Sequence, residues 1–174
     1  MCEYYIREWK PEYLGEQMNI FILSEDPVLA AQMHCDKHMK MIVEAAQMLC
    51  SVFPPGQAPY KRTHFNHPCT VWSRQSKQNY EWLIKYGLAL CDEYTYRYNK
   101  THKSMAVIEW CKNHRPELPD LGLTRFAQAM PDEYKCEDAV RSYRNYYIGA
   151  KIKLLTYTKR KSPEWVSCVI GEKI

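Results

Sequence analysis

A mainly α-helical fold, a single compact bundle of four to five helices with at most a short strand at its start, is what the sequence predicts. Three observations point there. Two long stretches, Asp26 to Phe53 and about Ser73 or Ser76 to Tyr98, repeat apolar residues every three to four positions, and each begins at a residue that can cap a helix. The first of them stops at Pro54-Pro55-Gly56, residues that end a helix. The composition, 46% hydrophobic and 25% charged over 174 residues, suits one globular domain able to bury a core without staples.

Met1 to Gln17 is aromatic and charged but aperiodic, and is expected to be an N-terminal extension ahead of one helical domain spanning 18–174. Asn19-Ile20-Phe21-Ile22-Leu23 is β-branched and aromatic, which suggests a short strand. One long helix is expected next, with Asp26 as N-cap and Pro27 at its first position. Its apolar stripe is Cys35, Met39, Ile42, Ala46, Leu49 and Phe53; Asp36, Lys37, Lys40, Glu44 and Gln47 lie opposite, and His34 and His38 flank the stripe. The Tyr60–Pro68 segment has no helical period and carries Lys61, Arg62, His64, Asn66 and His67, so it reads as a binding loop.

The second long helix is expected to bury Tyr80, Leu83, Gly87, Leu90, Tyr94 and Tyr98, with Asn79, Tyr86, Glu93 and Arg97 along one edge. An exposed Glu93–Arg97 pair at i,i+4 is worth ~0.3 kcal/mol. Ser104 can cap a third helix running to Cys111, Leu123 to Met130 reads as a short turn or helix, and Glu137 to Tyr147 as a helix bearing Arg141 and Arg144 side by side. The tail after Gly149 has no clear period.

Eight cysteines, none spaced Cys-x-x-Cys and most beside apolar segments, read as buried reduced thiols. No apolar run approaches a membrane span and no signal peptide is visible, so no membrane association is expected and the protein is placed in the cytoplasm. A net charge of +4 permits contact with nucleic acid or nucleotides without demanding it. Gly-rich phosphate loops, nucleophile elbows, zincin and zinc-deaminase signatures are missing from the sequence.

Three constellations remain. His34, His38, His64 and His67 could hold a metal, but without thiolate or carboxylate support they read more simply as core or orienting histidines, and neither a metal nor another cofactor is expected. The polar face Asp36, Lys37, Lys40 and Glu44 pairs carboxylates with amines, as a general acid or base beside a nucleophilic amine would, or as a salt bridge would. Lys61, Arg62, Arg74, Arg97, Lys100, Lys103, Arg141 and Arg144, interleaved with Tyr60, Trp72, Trp82, Tyr143 and Tyr146, offer cations for phosphates and rings for bases.

Met18–Leu23, Asp26-Pro27, His34-Cys35-Asp36-Lys37-His38, Asn66-His67-Pro68-Cys69, Asn79-Tyr80-Glu81-Trp82-Leu83, Gln128-Ala129-Met130-Pro131 and Tyr143–Tyr147 together resemble a family of small tailed-bacteriophage proteins over Met18 to about Lys151. That resemblance implies action inside an infected bacterium and supplies no activity. Asn19–Leu23, Asp36-Lys37, Asn66-His67-Pro68 and Trp82 through Glu93 to Arg97 also resemble, in order, pieces of the pyrimidine-dimer DNA glycosylase family. This second likeness implies attack on the sugar by the amine of a mature N-terminus. Here 17 residues precede Met18, which carries that amine elsewhere unless translation starts there, and no glutamate stands where the family's pattern would place one. Asp36 or Glu44 would then be the carboxylate and Lys37 or Lys40 the amine.

The resulting expectation is an enzyme acting on DNA bases or nucleotides, sharpest as an N-glycosylase or lyase. Its substrate-binding set is Lys61, Arg62, His64, Asn66, His67, Arg74, Asn79, Arg97, Lys103, Arg141 and Arg144. A non-catalytic helical module binding a host or phage protein or nucleic acid is the alternative, and a histidine metal protein the third.

Overall fold

A computed structural model describes residues 18–171; the expected extension over 1–17 lies outside them, as do 172–174. The protein is mainly helical, and no strand occurs among the described residues. Seven α-helices are found there: α1 (Pro27–Gln32), α2 (Met41–Ser51), α3 (Pro68–Ser73), α4 (Lys77–Tyr98), α5 (Met105–Asn113), α6 (Ala139–Lys151) and α7 (Glu164–Ile170). The 22-residue α4 is the central post, with α1, α2, α3 and α5 packed against it.

The single helix expected over Asp26–Phe53 is broken. Asp26 caps α1 as expected, its carboxylate accepting from the Val28 and Leu29 amides at 2.8 and 3.0 Å. After Gln32 the chain leaves the α-helical path, and Asp36–Lys40 forms a 3-10 turn before α2 begins. Tertiary partners replace the helical ladder at the break. The Cys35 amide donates to the Tyr147 hydroxyl and the Asp36 amide to the Thr156 carbonyl, while the His34 ring donates locally from Nδ1 to the Ala30 carbonyl four residues before it. Groups more than a hundred residues away thus outcompete continuation of a periodic helix.

The strand expected at Asn19–Leu23 is also absent. The segment is buried, and its β-branched and aromatic residues fill the core instead of a sheet. Phe21 takes a left-handed backbone conformation (φ 55°) that no strand continues through. The Asn19 side-chain oxygen accepts from the amides of Ile20 and Phe21, which have no ladder to join. Phe21 then stacks on His38 at 4.4 Å and 16°.

Ser76 caps α4 by accepting from the Asn79 amide, and Asn99 ends it in the left-handed region (φ 53°). Burial on α4 differs from the expected stripe near its C-terminus, where Glu93 and Arg97 are inside and Tyr94 and Tyr98 only half-buried. No helix forms over Leu123–Met130. This irregular segment is held by side chains, with Asn79 accepting from the Thr124 amide and Ser76 donating to the Gly122 carbonyl. α6 turns Tyr143, Tyr146 and Tyr147 into the core. Among the described cysteines all seven are free; Cys35, Cys50, Cys69, Cys91 and Cys111 are buried, whereas Cys136, expected inside, is exposed.

Candidate active site

Of the polar face Asp36, Lys37, Lys40 and Glu44, only Glu44 turns toward the start of the described chain. It is half-buried on α2, and its Oε2 accepts from the Asn19 backbone nitrogen at 2.7 Å. The Asn19 side chain donates in turn to the Ala129 carbonyl at 2.6 Å. Ala129 and Met18 both line a cavity of about 430 Å³, within the size range of small-molecule sites. Its remaining wall is His64, His67, Pro68, Gln128, Met130 and Lys135. Gln128 donates to the Cys136 carbonyl, and its Oε1 is buried with no hydrogen-bond partner among the described residues. The cavity wall therefore carries an unused acceptor, two imidazoles and the Lys135 ammonium, itself paired with Asp132 at 2.7 Å; Glu44 is not on that wall and adjoins it through Asn19, which follows the lining residue Met18.

Asp36 is committed elsewhere. Its carboxylate accepts from the Thr158 amide and hydroxyl and from Arg97. Burial works to raise its pKa, but these donors outweigh it and hold the carboxyl below its usual value. Lys37 and Lys40 are exposed on the 3-10 turn. Arg97 lies inside the protein, bonded to Glu93, Asp36 and the Gln32 carbonyl, and Arg160 closes the network with two 2.8 Å contacts to Glu93. Burial likewise opposes the ionised form of Glu93, and Arg160 and Arg97 together keep it below the ordinary range. The Glu93–Arg97 pair, spaced i,i+4, is therefore a structural ion pair of the interior.

Three expected substrate contacts are internal struts. Arg97 is 2% exposed and Asn79 fully buried, the latter donating to the Trp72 carbonyl and Thr124 hydroxyl. Arg144 donates to the Leu23 carbonyl and lies 5.3 Å from the Trp165 ring, so it does not pair with the exposed Arg141 in a joint basic patch. Lys61, Arg62, Asn66 and Lys103 are exposed, and Arg74 is half-buried.

The four histidines separate into two kinds. His34 is fully buried, its Nδ1 on Ala30 and its Nε2 2.8 Å from the Tyr86 hydroxyl. Burial lowers its pKa to about 4, so it is neutral at pH 7. His38 is also lowered, by burial first, and its Nδ1 meets the Tyr147 hydroxyl at 2.6 Å. Both are core residues. His67 instead caps α3 by accepting from the Cys69 amide, and burial followed by the neighbouring His64 lowers its pKa. Among the described residues no three His, Cys, Asp or Glu side chains are grouped as metal ligands.

A family model described as pyrimidine dimer DNA glycosylase matches residues 18–106, which is 89 of the 174 residues. The chain belongs to the pyrimidine dimer DNA glycosylase family. No curated protein and no solved structure matches it significantly. The glycosylase match opens at Met18, the residue on the cavity wall, and takes in Glu44, His64 and His67. Gln128, Ala129, Met130 and Lys135 come from beyond it, so half of the cavity wall is supplied by sequence outside the matched glycosylase region. Among the described residues no helix is long and apolar enough to cross a membrane.

The position of Glu44 on an amphipathic helix was readable from periodicity. Its partner was not, because a backbone nitrogen has no side-chain signature. Met18-Asn19 and Gln128–Met130 were visible only as pieces of a family resemblance, without a role.

Proposed function

We propose that this family member is a DNA N-glycosylase with lyase activity, working by imine chemistry at the Met18–Asn19 end of the cavity. The observation that carries this reading is the 2.7 Å contact between the Glu44 carboxylate and the Asn19 nitrogen. In the full chain that nitrogen is an amide and cannot attack. A polypeptide that starts at Asn19 presents it as a primary amine, already held by a carboxylate able to take up its proton. The amine attacks C1′ as Glu44 takes up its proton, and the base leaves with the electrons of the glycosidic bond and a proton; the sugar ring then opens, O4′ keeping the C1′–O4′ electrons and gaining a proton, so that C1′ and the nitrogen are joined as an imine. Loss of a proton from C2′ then expels the 3′ phosphate, and water hydrolyses the imine to free the amine. Lys37 and Lys40 are both exposed on the turn that precedes α2, and an adduct on either would favour a lysine as the nucleophile instead. The likeness to tailed-bacteriophage proteins supports placing the activity inside an infected bacterium.

Borohydride trapping on a duplex containing an abasic site tests the proposal, using the full chain and a version beginning at Asn19. The Asn19 version is expected to form a covalent adduct mapped to that residue, and Glu44→Gln to slow single-turnover reaction by about 10²- to 10⁴-fold while the protein stays folded. No adduct from either polypeptide, or an adduct on a lysine, defeats the assignment. The absence of any adduct leaves a non-catalytic helical module as the reading.

A further inference from the structure

Beside the cavity, two guanidinium groups converge on one aromatic ring. The Cζ atoms of Arg62 and Arg74 lie 4.2 and 3.8 Å from the centre of the Phe65 ring. Each guanidinium is held by a carbonyl, Arg62 by Phe53 at 2.6 Å and Arg74 by Phe65 at 2.5 Å. Among the described residues neither forms an ion pair with a carboxylate, and neither does the adjacent exposed Lys61. Phe65 stands between His64 and Asn66, and His64 and His67 of the same loop line the cavity.

Like charges brought together without a counter-charge repel, and the ring face offsets only part of that repulsion. Partial burial and the nearby Arg62 both act to lower the Arg74 pKa. One contact of each guanidinium is fixed by a carbonyl, which sets the plane of the fork and leaves its other N–H donors to a further acceptor. Guanidinium forks match phosphate oxygens in geometry as well as charge.

We infer that Arg62 and Arg74, set on Phe65, form a clamp for the phosphodiester backbone of a DNA strand entering the cavity. The identity of the anion rests on the glycosylase reading. The clamp fixes where the strand crosses the protein without reading its sequence.

Equilibrium binding of a fluorescein-labelled duplex carrying a tetrahydrofuran abasic analogue, titrated over salt concentration, tests the clamp separately from chemistry. Each phosphate contact contributes about 0.9 to the slope of log affinity against log salt, so R62Q/R74Q is expected to flatten the slope by about 1 to 2. R62K/R74K, which keeps both charges, is expected to retain it. Should the double variant fail to fold, R62Q and R74Q singly each carry the test with a flattening of about 1. An unchanged slope in the glutamine variants, a lysine variant as flat as the glutamine one, or no duplex binding by the wild type overturns the clamp. Binding with this slope by a protein that traps no imine preserves the clamp and removes the enzymatic reading.

Discussion

At the scale of single residues, the same side-chain type is put to opposite uses by its surroundings. Asp36 and Glu44 sit eight positions apart and read alike in the sequence, yet one is bonded to Thr158 and Arg97 and the other to the backbone of Asn19. A charge on a helix face looks identical in sequence whether it meets solvent or an arginine 61 residues away, which is why Asp36 was read as catalytic and Arg97 as a substrate contact. His34 carries a testable consequence. In the unfolded chain it takes a proton near 6.5, whereas in the folded one it does so only near 4. Between those values the unfolded state binds more protons, so stability falls as pH drops through that window, by on the order of 3 kcal/mol for this residue. Urea denaturation from pH 7 to pH 4.5 should show the decline, with a shallower pH dependence in His34→Gln. His38 adds in the same direction. The contributions of Asp36 and Glu93, whose carboxyls are depressed, are lost only at lower pH.

Among elements, what periodicity and capping revealed was the helices themselves. The start of α1 falls where Asp26 places it and that of α4 at the second of two candidate serines, Ser73 and Ser76, because a cap is a local bond between residues two or three apart. The break at Met33–Cys35 and the left-handed Phe21 were illegible because their partners, Tyr147, Thr156 and His38, are supplied by folding and not by neighbours in the chain. The short α3 and α7 went unread for want of enough turns to show a period. The packing of α6 rests on a glycine. A methyl group at Gly149 would collide with the Tyr134 ring, which covers that face of the helix. Gly149→Ala is expected to cost about 1–3 kcal/mol in chemical denaturation, and a smaller residue in place of Tyr134 should recover part of it in a double-mutant cycle.

For the molecule as a whole, the segment after α6 acts as a strap. Thr158 holds Asp36, Arg160 holds Glu93, and Trp165 and Val166 are buried in the core. The region that carries the family match is therefore not a closed unit, and a fragment spanning 18–106 is expected to show no cooperative thermal transition by circular dichroism, whereas 18–171 should melt in one step. A single charge-removing change at the strap, Arg160→Gln, leaves Glu93 with one fewer counter-charge and should lower the melting temperature measurably. Because the strap follows α6, a ribosome making this protein releases the first helices well before Thr158 and Arg160, which hold Asp36 and Glu93, have been translated. The nascent chain stays partly assembled until the strap has emerged, and anything that stalls elongation just after α6 would leave a species prone to capture by chaperones or proteases.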